Sequence, residues 1–289
     1  MNVIDQNGAK SDKQLYENLR VDCGKCFGFC CVALYFSASD GFPNNKDAGK
    51  PCANLQSDFS CAIHENLRKK GLKGCTAYDC FGAGQKVAQV TYGGHDWRQV
   101  PESASKMFEV FLVMRQLHEM LWYLTQARTL QITHPIRNEL SYMAFETERI
   151  TDLSAESLIA LNVAAHRDNV NALLLQTSEL VRTKAQSGQK TPLKHQKTMT
   201  KRSDFIGVDF RKTNLRGADL RGALLIAANL SGVNLSGVDL IGADLRDTNL
   251  RGANLTDSIF ITQAQINTAK GDAHTKLPMF LTRPAYWEK

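Results

Sequence analysis

The chain has 289 residues, of which 43% are hydrophobic and 22% are charged, and its formal net charge is +6. That length allows two or three globular domains. The polar first ten residues exclude a visible signal peptide, and the longest apolar run is broken by Arg115, His118 and Glu119, which excludes a membrane span. We therefore expect a cytoplasmic protein.

The cysteines are the first unusual feature along the chain. All eight lie in one stretch, whereas free cysteines that only fill a core are usually scattered. In a reducing cytoplasm such a group favours metal binding, with redox-active thiols and disulfide bridges as the alternatives. We predict a cysteine-rich metal-binding module in residues 1–98, with these ligands: Cys23, Cys26, Cys30, Cys31, Cys52, Cys61, Cys75 and Cys80.

The spacing within this group favours coordination by sulfur. Cys23 and Cys26 are separated by two residues, and Gly24 lets the backbone turn so that both thiolates can meet one ion. Cys30 and Cys31 are adjacent, so either they serve two centres or only one of them is a ligand. Four thiolates suit zinc or an iron–sulfur cluster, and eight could hold two such sites or one site with thiols left over. We predict structural zinc, with an iron–sulfur cluster as the alternative.

Two short motifs in this region carry a resemblance to known proteins. P-C-A-N-L (Pro51–Leu55) and C-A-I-H (Cys61–His64) are similar to motifs of cysteine-cluster proteins described as zinc- or iron-chelating. The opening C-x-x-C-x-x-x-C-C is longer than the pattern of that family. The resemblance implies a metal without selecting which one. His64 is a ninth candidate ligand, because it lies one turn after Cys61 if the segment is helical; an exposed or capping histidine is the alternative.

Residues 99–186 show apolar residues at helical spacing, which predicts a helical domain. We expect a second helix from Asn138 to Ile150 and a third that Ser154 opens and that runs through Leu180. These helices should pack as a small bundle whose Met and aromatic side chains form a core rather than line a ligand pocket. The stripe of the first helix comprises Met107, Val110, Phe111, Met114, Leu117, Leu121 and Leu124.

A basic stretch follows the predicted helices. From Arg182 to Arg202 there are seven Lys or Arg residues and no acidic residue, about the whole excess of positive charge. A basic run can contact nucleic acid. Because Ser187, Gly188 and Pro192 interrupt it, we interpret residues 187–202 as a solvated linker and do not expect nucleic-acid binding.

Residues 203–260 repeat every five residues. Two residues before each large apolar residue stands a small or β-branched one, and in most units Asp or Asn lies between them. Neither a helix nor a strand has a period of five, so the pattern predicts a solenoid. The large apolar residues are Phe205, Phe210, Leu215, Leu220, Leu225, Leu230, Leu235, Leu240, Leu245, Leu250, Leu255 and Phe260.

Three runs resemble the pentapeptide-repeat family, whose consensus is A-(D/N)-L-x-x. They are A-D-L-R-G (Ala218–Gly222), A-N-L-S-G (Ala228–Gly232) and A-N-L-T-D (Ala253–Asp257). The resemblance implies a right-handed quadrilateral β-helix with four units per coil. The large and small apolar residues would then fill the interior, and Asp or Asn would bond its own backbone at each turn.

Residues 261–289 are expected to cap the solenoid, whose ends would otherwise be open. Ile261 to Ala269 reads as a short amphipathic helix, and Phe280, Tyr286 and Trp287 could cover the core. The predicted fold class is therefore multidomain α+β. It comprises the cysteine-rich module, a helical bundle, the linker, a right-handed quadrilateral β-helix and its cap.

The sequence favours a binding protein over an enzyme, because no catalytic triad, paired carboxylates or nucleotide-binding fingerprint is visible. We expect a protein partner on the repeat faces. The alternatives are an iron or iron–sulfur redox protein or enzyme, a metal sensor or store, and a DNA mimic that protects DNA gyrase, as some pentapeptide-repeat proteins do. Mimicry is less favoured, because a column such as Arg211, Ser231 and Arg251 lacks the required acidic ladder.

Overall fold

The structure, a computed structural model, describes residues 16–187 and 204–287. The chain divides into two compact units, Met1–Leu174 and Leu175–Lys289. The predicted linker 187–202 lies, apart from Ser187, outside the described residues, and so does the first repeat residue, Ser203. Within the described ranges, no helix combines the length and the apolar character that crossing a membrane requires.

The cysteine-rich part of the first unit is built from short elements joined by turns. Phe36, Phe42 and Leu72 form a small buried cluster there, with the Phe36 and Phe42 rings stacked at 4.3 Å between centroids. The helices are α1 (Phe29–Ala33), α2 (Lys73–Thr76) and α3 (Ala83–Lys86), the last continued by a π-helical turn (Val87–Thr91). Short 3₁₀ turns span Cys23–Lys25, Ala38–Asp40 and His64–Asn66.

Helix α4 (Ala104–Thr129) is the centre of the first unit, and 3₁₀ turns at Pro101–Ser103 and Gln131–Ile136 flank it. Every residue of its predicted apolar stripe is at most 2% exposed, so the interpretation as core is confirmed. The ring of Phe111 stacks on that of Phe29 at 5.4 Å, which packs α1 against α4. Helix α5 (Arg137–Thr151) also packs on α4 and agrees with the predicted second helix.

The predicted third helix is two helices. Ser154 caps α6 (Ala155–Ile159), as expected, by accepting the Ser157 N–H. The chain then leaves the helical path, and α7 (Val163–Gln186) begins separately. The cause is local: the side chain of Asn162 accepts the N–H of Ala165 at 3.1 Å, which satisfies a free donor at a new helix start.

The second unit contains residues 204–260, which we call the repeat coil. The predicted right-handed quadrilateral β-helix is wrong, because the described residues contain no β-strand and no sheet. The backbone instead forms tight turns linked by isolated parallel bridges between residues twenty apart, such as Asp209 with Asn229 and Asn229 with Asn249. At most one residue of each five-residue unit is bridged. The turn residues on either side prevent the consecutive pairs that define a strand.

The interior and the turns of the repeat coil follow the sequence pattern. Nine leucines, from Leu215 to Leu255 at intervals of five, are at most 1% exposed. The Asp or Asn before them accepts the backbone N–H two residues later, as in Asn234 with Ser236 at 2.9 Å. Gly232 and its counterparts adopt positive φ at the corners, which favours glycine. These predictions are confirmed.

The tail pairs with the last turns of the repeat coil. Helix α8 (Gln263–Thr268) is slightly shorter than predicted, because Thr262 forms a capping box with Gln265. Lys270 and Lys276 then bridge to Asn249 and Asn254. In the closing 3₁₀ turn Ala285–Trp287, the Trp287 side chain is only 1% exposed and packs against Gly271, where an added Cβ would lie 2.3 Å from the ring.

Candidate functional site

The structure brings the eight predicted cysteine ligands into one neighbourhood of the first unit. None of them is in a disulfide. Cys30 and Cys31 lie on α1 with their sulfur atoms 4.0 Å apart. The Cys52 N–H donates to the Cys31 carbonyl at 2.9 Å, and Cys61 is held by an antiparallel bridge to Leu55. Two distant parts of the sequence are thereby fixed beside α1.

The cysteines near the start of the module face Cys80. Burial raises the pKa of the Cys26 thiol to about 12, and the neighbouring charges of Cys80 and Cys23 add to the rise. Burial also raises the pKa of Cys23, for which Cys80 is the strongest charged neighbour. The pKa of Cys30 is raised because its thiol donates to Cys31, with smaller effects of burial, Cys26 and Cys80.

The later cysteines face one another around Cys31. Burial raises the pKa of Cys75 to about 12, and its charged neighbours are Cys31, Cys52 and Cys61. Burial raises the pKa of Cys61 as well, with Cys31 and Cys52 as neighbours. Cys31 is the exception: the hydrogen bond from Cys30 and the charge of Lys46 outweigh burial and lower its pKa.

Four of the sulfur atoms face the backbone N–H two residues further along the chain. The pairs are Cys26 with Gly28, Cys52 with Asn54, Cys61 with Ile63 and Cys80 with Gly82. The Asn54 N–H lies 3.5 Å from the Cys52 sulfur, and the Asn54 side-chain amide also points to it. A neutral thiol is a weak acceptor, whereas a thiolate gains from such donors. These N–H groups oppose the effect of burial, which nevertheless raises the pKa of Cys26, Cys61 and Cys80 overall.

Lys46 is a component that sequence reasoning missed. Its ammonium group donates to the carbonyls of Leu34 at 2.6 Å, Lys50 at 2.7 Å and Asp47 at 3.0 Å, and more distantly to Val32. Burial lowers the pKa of Lys46, while the nearby Cys52, Cys31 and Cys30 oppose that shift. Lys46 is one of several lysines in the region and stands in no motif, so no sequence pattern marks it.

A ready-made metal site is not present. Among the described residues, no group of three or more His, Cys, Asp or Glu side chains is placed to hold a metal ion. His64 is exposed in its 3₁₀ turn, and its backbone N–H donates to the Cys61 carbonyl at 3.2 Å. The assignment of zinc, and of His64 and the eight cysteines as ligands, stays a prediction.

One face of the repeat coil is covered by the last turns of α7, within the second unit. Arg182 and Gln186 donate to the Gly217 carbonyl at 3.2 and 2.7 Å. Arg182 also contacts Asp219, which binds Arg221. Arg221 in turn lies 3.6 Å from the fully buried Asp239. Burial raises the pKa of Asp239 to about 6, although the Ile241 N–H opposes the shift.

Arginine–aspartate pairs also lie on exposed turns of the coil. Arg211 forms a forked contact with Asp209, with distances of 2.7 to 3.1 Å, and its side chain is 58% exposed. Arg246 contacts Asp244 in the same way. The carboxylates of Asp209 and Asp244 are therefore neutralised by neighbouring arginines. No acidic ladder forms around these two pairs.

Comparison with known protein families confirms the pentapeptide repeats. The family model for pentapeptide repeats matches residues 203–240 and 218–257, with eight copies. The uncharacterized protein YybG of Bacillus subtilis (strain 168) is 58% identical over 274 residues, which are 95% of this chain and 96% of YybG. The chain belongs to the same family as YybG. No solved structure matches it. In this YybG-like family the pentapeptide repeats suggest a protein-interaction role.

Proposed function

We propose that the chain is an interaction protein in which a cysteine-ligated structural zinc holds the N-terminal module and the repeat coil carries the partner surface. The observation behind the zinc is the set of backbone N–H groups that face the sulfur atoms of Cys26, Cys52, Cys61 and Cys80. Hydrogen bonds of this kind commonly support sulfur ligands of metals.

The donor set fits zinc in its chemistry. Eight thiols face one another in a part of the chain with little apolar core, and Zn²⁺ accepts four thiolates without redox change. When bound, the metal supplies folding free energy rather than a reaction step. The sulfur atoms must move inward to ligate, because the described residues hold no preformed triad. We therefore expect metal binding and ordering of the module to be coupled.

The partner surface is proposed on the exposed turns that bear Arg211 and Arg251. Both side chains lie on turns bridged through the column of Asp209, Asn229 and Asn249, which gives a surface with regular spacing. The Asn249 amide donates to Asn229 at 3.2 Å and continues that regularity along the column. Such a surface suits a protein partner with acidic and polar groups.

Metal analysis tests the zinc directly. Protein purified without oxygen should contain zinc that survives gel filtration, with no visible absorption band, and Cys61→Ser should contain less. Leu112→Ala serves as a control outside the cysteine region. Metal-free protein with oxidised thiols would contradict the proposal. Iron with inorganic sulfide and a visible band would replace it with the iron–sulfur alternative, whose clusters are also tuned by hydrogen bonds to sulfur.

A charge reversal tests the surface. Proteins captured from the source cell by the wild-type chain should be lost with the double variant Arg211→Glu, Arg251→Glu. They should be retained with Lys276→Glu, which changes an exposed lysine of the tail instead. Equal capture by all three proteins would contradict the assigned face.

A further inference from the structure

Two aromatic side chains stand out on the surface of the first unit. Tyr142 and Phe145 lie on α5 and are 64% and 62% exposed, more than any other large hydrophobic side chain of the described residues except Met279. A soluble protein rarely leaves a large apolar patch in water, and aromatic residues are enriched at protein interfaces. These two rings belong to neither the cysteine-rich region nor the repeat coil.

Helix α5 has two opposite faces. Its inner face packs on α4, with Leu140, Ala144 and Ile150 no more than 8% exposed. Tyr142 and Phe145 lie on the outer face, so neither ring is part of the core that holds the helix in place. A substitution of either ring should therefore leave the fold of the unit intact.

The outer face has a spacing that is the same from either end. Asn138, Tyr142, Phe145 and Arg149 are exposed and follow one another at intervals of four, three and four residues, which places them in one stripe along the helix. A second α5 that runs in the opposite direction would set Tyr142 of each copy against Phe145 of the other. It would also set Arg149 of each copy against Asn138 of the other.

We infer that this stripe is the contact surface for a second copy of the chain, with the two α5 helices packed antiparallel around a twofold axis between Tyr142 and Phe145. Such an axis makes the same patch serve both partners, so the patch must complement itself. The self-association goes beyond the proposed function, because it uses neither the cysteines nor the exposed turns of the repeat coil.

A groove beside the stripe gives the second copy a place to insert a ring. The groove lies between α5 and the first half of α7, has a volume of about 550 Å³, and is lined by Tyr142, Met143, Ala172 and Leu173 together with three polar residues. In the antiparallel pair, Phe145 of the second copy comes opposite Tyr142, at the wall of this groove. Its insertion would remove both rings from water and add the surface of α7 to that of the helix pair.

The charges at the ends of the stripe favour a copy that runs in the opposite direction. The Arg149 side chain is 55% exposed and donates to the Glu146 carboxylate at 2.9 and 3.0 Å. In a parallel pair the two Arg149 side chains would meet and repel each other. In the antiparallel pair each Arg149 faces the amide of Asn138 of the other copy. The exposed Glu139 of that copy is then only about 1.5 Å further along the axis.

Analytical ultracentrifugation of the full chain tests the contact. Wild type should change from monomer to dimer between about 1 and 100 µM, the range expected for an interface of modest area. Phe145→Glu should weaken self-association about tenfold or more, because it places a carboxylate in the apolar centre of the interface. Tyr35→Glu changes another exposed aromatic residue of the same unit and should behave as wild type. Circular dichroism checks that each variant is folded.

A second pair of variants tests the direction of the helices. Arg149→Glu should weaken the dimer, and the addition of Asn138→Arg should restore it, because the new Arg and Glu meet only when the two helices are antiparallel. This pair also decides the matter if Phe145→Glu fails to fold.

Three results would overturn the inference. The first is a wild-type chain that stays monomeric up to about 100 µM. If such a monomer captures a protein that Phe145→Glu does not, the stripe binds a different partner instead of a second copy. The second is a dimer that Phe145→Glu leaves unchanged. The third is a double variant that remains as weak as Arg149→Glu, which would contradict the antiparallel arrangement.

Discussion

From Phe210 to Phe260, every five residues of the repeat coil bring one buried Leu or Phe to a common interior, and most of the turns between them are closed by the same side-chain hydrogen bond. In the cysteine-rich region the apolar cluster of Phe36, Phe42 and Leu72 is small, and Cys52 and Cys75 pack against it. The coil distributes its stability over equivalent units. The cysteine-rich region concentrates it in a few polar and sulfur-containing groups, and therefore depends on what the sulfur atoms bind.

The largest loss of stability is expected when Leu225 of the coil is replaced, and its neighbour Leu224 provides the control. Leu225 is fully buried, whereas Leu224, one of the departures from Asp or Asn, is 39% exposed. Leu225→Ala should lower the free energy of unfolding by about 3 kcal/mol, because it leaves a cavity, and Leu224→Ala by less than about 1 kcal/mol. Denaturant unfolding followed by circular dichroism measures both. Equal losses would show that the coil interior is not close-packed.

The second prediction concerns pH and the first unit. Buried His118 donates its Nδ1–H to the Phe81 carbonyl oxygen at 2.8 Å, and burial lowers the pKa of its imidazole to about 4. Because the unfolded chain takes up the proton at higher pH, stability should fall by about 3 kcal/mol as pH drops from 6.5 to 4. His118→Asn should remove that slope and match wild type above pH 7. An unchanged pH profile would contradict the burial of a neutral imidazole.

The third prediction has the opposite sign and concerns the coil. The folded pKa of Asp239 is raised to about 6, so folding retains the proton and stability should fall by about 2 to 3 kcal/mol as pH rises from 4 to 6. Asp239→Asn should be more stable than wild type at pH 8 and similar to it at pH 4.

Asp219 provides the matched control for that variant. It occupies the same turn position one coil earlier. Burial would raise its pKa, but the hydrogen bonds and charge of Arg221 lower it overall. Asp219→Asn should therefore lose stability at neutral pH. If both variants changed stability in the same direction at pH 8, the electrostatic account of this face would be wrong.

A smaller effect is expected from the lysine of the cysteine-rich region. Lys46→Met removes the ammonium group that binds the carbonyls of Leu34 and Lys50, and should lower the free energy of unfolding by about 2 kcal/mol. Lys50→Met, on an exposed side chain, should change it by less than about 0.5 kcal/mol. Thermal unfolding of both variants at one metal concentration measures the difference. If both variants unfolded at the same temperature, the hydrogen bonds of the Lys46 ammonium group would contribute no more stability than an exposed lysine does.

The sequence predicted the regular parts of the molecule better than the irregular ones. The five-residue period identified the buried Leu positions and the turn hydrogen bonds, because each unit repeats the same local physics. The period did not predict that the β-bridges between successive coils would stay single and form no strands, since that depends on how many residues each turn uses. The break between helices α6 and α7 was missed, because the sequence alone did not show that Asn162 would cap a new helix there. The role of Lys46 was also missed, because it depends on contacts made in the folded structure and no sequence motif marks this lysine.

Hydrogen exchange after chelation tests the central comparison most directly. Protein purified without oxygen is treated with a zinc chelator, and exchange is followed by mass spectrometry along the full chain. The account predicts that peptides between residues 16 and 98 lose protection while those between 204 and 287 keep it. Unchanged exchange in the cysteine-rich region would contradict the account, and so would equal loss in the repeat coil.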